Sequence, residues 1–259
     1  MQLTIHILFF SNFAVQSKNI LTIMERNTEI RDGIIKTMLE KSQLKQVVYD
    51  NTKEAFTILK KVLHDIVIEY NGILKDADDR IKLEYRDRGL FETEIKVAGD
   101  LLIFNMHSNI FEFPRNHEIW KDSYYIDRPL VTYSGIINIY NFLADSFKYN
   151  RDEDLGYLIG RMFINNESTF FVEGRRELGY GYPAFGKNKV DYESLHQLVE
   201  SAIAYVLKFD LLVPPYNDVK IVNVDYMKER INKSKMQTGK RLGFEYNAIK
   251  GLPQMGGEK

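Results

Sequence analysis

The segment GYPAFGKN, from Gly181 to Asn188, has the G-x-x-x-x-G-K spacing of a phosphate-binding loop. In such loops glycine N–H groups face the phosphates, the lysine reaches the outer phosphates, and a Ser or Thr hydroxyl binds Mg²⁺. Here Asn188 replaces the hydroxyl, and Pro183 removes one N–H donor. Because too little chain follows for the parallel sheet of these folds, we do not expect nucleotide binding of this type.

The same loop is nevertheless the first candidate for a binding surface. Arginine and exposed aromatic side chains together serve in base stacking, in phosphate contact and in protein interfaces. Long irregular loops on rigid scaffolds often carry function, although these rings would also pack such a loop against the core. The candidate binding residues in this loop are Arg175, Arg176, Tyr180, Tyr182, Phe185 and Lys187.

A second aromatic segment, from His107 to Pro129, adds His107, His117 and Trp120 to the candidate binding residues. Two histidines among aromatic residues can bind a metal or move protons. No H-x-x-x-H or HExxH spacing is present, so no metal site is predicted and no cofactor is indicated.

The triplet Glu94-Ile95-Lys96 matches the E-x-K pattern of many metal-dependent nucleases. In those enzymes an upstream acid, here Asp87 or Glu84, shares the metal with the glutamate, and the lysine stabilises developing charge. Asp87, Glu94 and Lys96 are therefore an alternative catalytic set. Strand alternation explains the same residues as a charged outer face, and this structural interpretation is favoured.

Hydrophobic spacing predicts two helices first, from Thr28 to Val48 and from Asp50 to Leu74. The second helix has apolar residues at alternating steps of three and four, which defines one long apolar face. That face must cover a sheet, another helix or another subunit, so the helix 50–74 is a candidate homodimer element.

From Arg80 to Met106 the apolar and charged residues alternate, as in half-buried antiparallel strands. A turn at Gly89 would place Arg86 opposite Glu94 and Glu84 opposite Lys96. This pairing predicts a three-stranded meander over 80–106. A second hairpin is predicted over 157–173.

Four further elements complete the prediction. They are a strand near Ile119 to Ile126, a helix from Ser134 to Lys148, a helix from Tyr192 to Lys208 with Asp191 as its N-cap, and a strand from Val219 to Val224. Because the strands follow one another through hairpins, the fold class is α+β, with an antiparallel sheet covered by helices and an N-terminal helical pair. PAS, GAF and longin domains share this general plan, and the resemblance rests on no motif.

The composition restricts the compartment and the partners. The net charge is −1 and cysteine is absent, which excludes disulfides and thiolate metal sites and fits a cytoplasmic protein. Residues 1–23 are set aside as a mis-assigned start or a short leader, 24–227 form one domain, and 228–259 form a basic tail. Residues of this tail that would contact nucleic acid are Lys233, Lys235, Lys240 and Arg241.

Together these features favour binding over catalysis. The prediction is a cytoplasmic sensory, regulatory or protein-interaction module that uses the Arg-containing aromatic loop, with no membrane association. A metal-dependent nuclease using Glu94 and Lys96, or a nucleic-acid-binding protein using the basic tail, is the alternative.

Overall fold

The computed structural model describes residues 26–121, 123–152, 154–174, 178, 186, 188–208, 213, 215–225 and 228. The chain forms two compact units, residues 1–47 and 48–259. In the first unit, residues 26–37 are helical and lead into a π-helical turn, Met38–Ser42. Its large apolar side chains, among them Ile30, Ile34 and Leu39, are exposed.

The helices are α1 (Gln43–Ile73), α2 (Ser123–Ile126), α3 (Ala144–Lys148), α4 (Tyr192–Leu207) and α5 (Tyr216–Val219). Asp191 is the N-cap of α4 as predicted, and its carboxylate accepts the Ser194 N–H at 2.8 Å. No helix among the described residues is long and apolar enough to cross a membrane.

The predicted boundary at Asp50 is wrong, because Asp50 lies inside α1. An aspartate in a helix interior costs only a fraction of a kcal/mol, about 0.5. The buried side chains of Val48 and Thr52 flank it and continue the apolar face through that position. Burial on both sides therefore outweighs the local preference of Asp50 for a cap.

Within the described residues, eight strands form one antiparallel sheet in the order β1-β2-β3-β5-β6-β7-β8, with β4 paired to β5. This arrangement confirms the α+β fold class. The strands are β1 (Glu84–Asp87), β2 (Glu92–Val97), β3 (Asp100–Met106), β4 (Phe111–Glu112), β5 (Tyr133–Leu143), β6 (Tyr157–Ile164), β7 (Thr169–Gly174) and β8 (Asn188–Lys189).

The predicted meander is confirmed together with its register. Glu84 pairs with Lys96 and Arg86 pairs with Glu94 across β1 and β2. The predicted hairpin over 157–173 is confirmed as β6 and β7. Complementary charge on neighbouring strands therefore gave the correct alignment.

One face of the sheet carries the main core, which α1 and α4 cover. The buried cluster includes Phe56, Leu59 and Leu63 of α1, Leu198, Val199 and Ile203 of α4, and Ile95, Leu102, Phe104, Ile139 and Met162 of the strands. The apolar face of α1 that suggested dimerisation is thus buried against the chain's own sheet. A homodimer through helix 50–74 stays a prediction, but the apolar face of the helix no longer supports it.

Two hydrogen bonds join the covering helices. The Tyr70 hydroxyl donates to Glu200 at 2.7 Å, and the Tyr192 hydroxyl donates to Asp65 at 3.0 Å. The bond to Glu200 is the main reason that the pKa of Tyr70 rises to about 12. The helices are therefore tied by polar contacts at their margins as well as by the core.

Three predicted elements are wrong. Residues predicted as the helix Ser134–Lys148 form β5 followed by the short α3. The strand predicted near Ile119 to Ile126 is a 3₁₀ turn, Glu118–Lys121, followed by α2. The strand predicted from Val219 to Val224 is absent; α5 ends at Val219, and residues 220–223 have no regular structure.

The physical reason for the β5 error is that β5 is central in the sheet. Both of its faces are partly covered, so apolar residues do not alternate strictly with polar ones. Its isoleucines are β-branched and favour a strand. In the C-terminal segment, Val222 and Val224 are exposed and have no partner strand among the described residues.

Gly135 of β5 marks a close contact with α1. A Cβ atom at this position would lie 2.0 Å from Thr52 Oγ1, which itself donates a hydrogen bond to the Val48 carbonyl at 2.6 Å. The helix therefore approaches the strand more closely than a side chain at residue 135 would allow.

Gly135→Ala is expected to lower the free energy of unfolding by about 1–3 kcal/mol, because the new methyl overpacks the α1–β5 contact. Urea denaturation measures this loss. Thr52→Ala in the Gly135→Ala background should recover part of it, since the closest contact is the threonine hydroxyl.

The matched control is Gly72→Ala in α1, where a Cβ meets no atom within 4 Å. This control should keep or raise stability, since alanine is the better helix former. Equal stability of Gly135→Ala and the wild type would contradict the close contact.

Candidate binding cavity

The second face of the sheet is only partly covered. At one end, the segment between β3 and β5 covers it through an aromatic cluster that contains Tyr125, Val131, Phe163 and Phe171. Toward the other end of β3, charged side chains of β1 and β2 meet the short helix α3. The uncovered region between the charged hairpin and α3 is a candidate site.

A cavity of about 660 Å³ occupies this region. Its lining comes from the 3₁₀ turn Asp79–Ile81, the β1–β2 hairpin, the turn before β3, the start of β3, and α3. The lining residues are Arg80, Glu84, Arg86, Arg88, Glu94, Lys96, Ala98, Gly99, Leu101, Ala144, Asp145, Phe147 and Lys148.

Glu94 is the buried acid of this cavity, with a residue exposure of only 2%. Arg88 donates to both of its oxygens, through Nε at 3.0 Å and through NH2 at 2.9 Å. Arg86 NH1 lies 3.7 Å from the same carboxylate. The bond to Glu94 raises the pKa of Arg88 above its usual value, as expected of a two-point charge-assisted pair.

Glu94 is on the charged outer face as predicted, but it is buried there. The guanidinium groups of Arg86 and Arg88 shield the carboxylate from water. They also replace the water that an ionised carboxylate would otherwise require. The burial of Glu94 therefore depends on its two arginine neighbours.

Glu84 and Lys96 form the next cross-strand pair along the hairpin, with Lys96 Nζ 2.6 Å from Glu84. Arg86 NH2 contacts Glu84 at 3.0 Å. Lys96 first, and then Arg86, lower the pKa of Glu84. Arg86 thus lies between two carboxylates and links the pairs into one network.

Apart from Asp145 and Lys148 of α3 and Arg80, the rest of the lining is apolar and forms the second wall of the cavity. Leu101 is buried in β3, and Ala98, Ala144 and Phe147 line the same space. The Phe147 ring contacts Phe142 edge to face at a centroid distance of 5.3 Å, which fixes its position. The cavity therefore has one ionic wall and one apolar wall.

The structure separates Asp87 from the other two residues of the alternative catalytic set. Asp87 points to the helix-covered side, where Lys60 Nζ lies 2.6 Å from its carboxylate. Glu94, Lys96 and Glu84 do line the same cavity. Among the described residues, no group of three or more His, Asp or Glu side chains could hold a metal ion.

His107 and His117 lie in the segment between β3 and β5, outside the cavity lining. Each Nδ1 accepts a backbone N–H two residues later, from Asn109 at 3.0 Å and from Ile119 at 3.2 Å. The rings contact Phe111 and Phe113, each at a centroid distance of 4.7 Å. These contacts stabilise turns and give the histidines a local structural role.

Trp120 packs against the aromatic cluster of the same segment. Its Nε1 donates to the Pro114 carbonyl at 3.1 Å, and the Arg115 guanidinium lies 4.1 Å above its ring. Trp120 is therefore not among the residues that line the cavity.

Other predicted site residues lie outside the described residues. These are Arg175, Arg176, Tyr180, Tyr182, Phe185 and Lys187 of the aromatic loop, and Lys233, Lys235, Lys240 and Arg241 of the tail. Two residues of the aromatic-loop region are described. Leu178 is buried in the main core, and the Gly186 N–H donates to Thr169 Oγ1 at 3.2 Å.

Sequence reasoning missed the second wall of the cavity. Ala98, Leu101, Phe147 and Lys148 carry no motif, and residues 134–148 were predicted to be one helix. The outward-facing positions of β3, whose sequence is DLLIFNM, include Leu101, and the register of the hairpin places it beside Lys96, its cross-strand neighbour.

Comparison with models of protein families, with curated proteins and with solved structures found no match for this chain. The chemistry of the cavity therefore has to be inferred from its own residues.

Glu94→Gln is expected to lower the free energy of unfolding by about 1–3 kcal/mol, because it removes the charge from a buried hydrogen-bonded pair. Chemical denaturation measures the change. Glu92→Gln on the same strand is the matched control, since Glu92 is less buried and faces Asn105. Equal losses in the two variants would contradict a special role for the Arg88–Glu94 pair.

Proposed function

We propose that this protein is a small-ligand-binding module of sensory or regulatory type, and that the cavity beside the β1–β2 hairpin is its binding site. The observation that carries the proposal is a concave space with one ionic wall and one apolar wall on a sheet face that α1 and α4 leave free. A cytoplasmic setting is part of the proposal and rests on the absence of cysteine.

The size and chemistry of the cavity support ligand binding. Pockets for small molecules measure about 300–1,000 Å³ and combine apolar surface with a few fixed polar groups. A volume of about 660 Å³ lies within that range. Arg88 is fixed by Glu94, and Phe147 by Phe142, so both walls are ordered before a ligand arrives.

The state of the carboxylates favours binding over turnover. A general base must be free to accept a proton at neutral pH. Glu94 is held by Arg88, and Glu84 is held by Lys96, which lowers its pKa. Glu84 is therefore not poised to accept a proton at neutral pH, and both oxygens of Glu94 already accept hydrogen bonds from Arg88.

Partner binding through the aromatic loop remains a further part of the prediction. That loop joins β7 to β8, whereas the cavity lies by β1 and β2 at the other edge of the sheet.

Filling the cavity is expected to abolish ligand binding without unfolding the protein. A thermal-shift screen of a metabolite library against the wild type should reveal stabilising compounds, because a ligand that binds only the folded state raises the melting temperature. Gly99→Phe and Ala144→Phe, which place a phenyl group at the lining, should lose most of that shift.

The matched control is Gly72→Phe, at a helical position where a Cβ has open space, as it has at Gly99. This control should respond to the same compounds as the wild type. Stabilisation that is unchanged in both cavity variants would place the ligand elsewhere and contradict the proposal.

A metal-dependent nuclease is the second candidate, because Glu84, Glu94 and Lys96 line one cavity. If a metal bound there, Glu84 and Glu94 would be its protein ligands after release from Lys96 and Arg88, and the metal would act as a Lewis acid. This candidate requires the present ion pairs to break.

The second candidate predicts cleavage of single- or double-stranded nucleic acid in Mg²⁺ or Mn²⁺, with a loss of at least about a hundredfold in Lys96→Gln. Gel analysis of the products measures it, and Lys53→Gln, at an exposed site on α1, is the control. Absence of metal-dependent cleavage by the wild type would remove this candidate.

A further inference from the structure

We infer that the ligand of the cavity is an organic anion that carries one acidic group and an apolar portion, with Arg86 and Lys148 as the cations that receive the acidic group. This inference rests on the proposed ligand-binding function and specifies the class of ligand.

The charges of the lining give the first step. Five cations line the cavity, Arg80, Arg86, Arg88, Lys96 and Lys148, against the three anions Glu84, Glu94 and Asp145. Arg80 is paired outside the lining with Asp78, at 2.6 Å. With Asp78 included, the group has five cations and four anions, and its net charge is therefore +1.

Among the three cations of the β1–β2 hairpin, Arg86 has the donors that are least committed. Arg88 contacts both oxygens of Glu94 with two hydrogen bonds, and Lys96 is 2.6 Å from Glu84. Arg86 makes one hydrogen bond to Glu84 and lies 3.7 Å from Glu94, and its side chain is 58% exposed. A guanidinium has five N–H donors, so Arg86 can donate hydrogen bonds to another anion while it keeps its bond to Glu84.

Lys148 supplies the second cation from the α3 side of the cavity. Its ammonium group lies 5.1 Å from the Tyr149 ring, and none of the ion pairs found among the described residues includes it. Lys148 is in the last turn of α3 and is exposed. It can therefore turn toward an acidic group in the cavity at little cost.

The apolar wall determines the rest of the ligand. Leu101 and Phe147 face a space that the ionic network does not fill, and Gly99 adds no side chain to it. A neutral apolar molecule would leave Arg86 and Lys148 without a new anion, whereas a small inorganic anion would leave the exposed ring of Phe147 in water. A molecule with both features matches both walls.

Isothermal titration calorimetry with four compounds that each carry a phenyl ring at the end of a four-carbon chain tests this inference. Phenylbutanoate and phenylbutyl phosphate are expected to bind the wild type, while phenylbutanamide and phenylbutylammonium are expected to bind at least about tenfold more weakly. Comparing the two acids distinguishes a carboxylate ligand from a phosphate ligand, and preference for either supports the inference.

Lys148→Gln should weaken binding of the two acids by about five- to tenfold and leave the amide unaffected, because it removes one charge and little volume. Lys53→Gln, far from the lining, is the matched control and should bind as the wild type does. Increasing the salt concentration should weaken binding of the two acids to the wild type more than their binding to Lys148→Gln.

Equal binding of the acid and the amide, or of the acid and the ammonium compound, would overturn the ligand class. So would a failure of all four to bind the wild type. The thermal-shift screen separates the two claims. If library compounds stabilise the wild type but not Gly99→Phe while either of these calorimetry results is obtained, the proposed ligand-binding function stands and only the anionic specificity is wrong.

Discussion

The two-point contact between Arg88 and Glu94 is the interaction on which the candidate site depends. An ionised carboxylate buried on a sheet face is unfavourable unless charged donors replace its water. Arg88 supplies two such donors, and Arg86 adds a nearby positive charge. The pair keeps the ionic wall of the cavity in place and holds β1 against β2 on the side that the main core does not cover.

The uneven covering of the sheet follows from the order of its elements. The long helices α1 and α4 pack on one face and use nearly all of the large apolar side chains that the strands direct there. The second face is covered by the segment between β3 and β5 only toward one end. The short α3, directly after β5, forms a rim at the other end, and a cavity remains between this rim and the charged hairpin.

The strands β1 and β2 could be predicted from the sequence because one face is apolar and the other is charged. The alternation and charge pairing of Glu84, Arg86, Glu94 and Lys96 gave the meander and its register. Sequence reasoning failed at β5, because a strand that is partly covered on both faces loses its alternation and imitates a helix. The apolar wall was missed for a different reason: only the pairing of β3 with β5 brings Leu101 opposite Phe142, whose ring contacts Phe147. No local pattern encodes that contact.

The most direct measurement is a nuclear magnetic resonance titration of isotope-labelled protein with phenylbutanoate. The account predicts that the backbone amide signals of Gly99, Leu101, Ala144 and Phe147 shift together along one saturable curve, while those of His107 to Trp120 stay in place. Shifts confined to the segment between β3 and β5, or to the helix-covered face, would contradict the assignment of this cavity as the binding site.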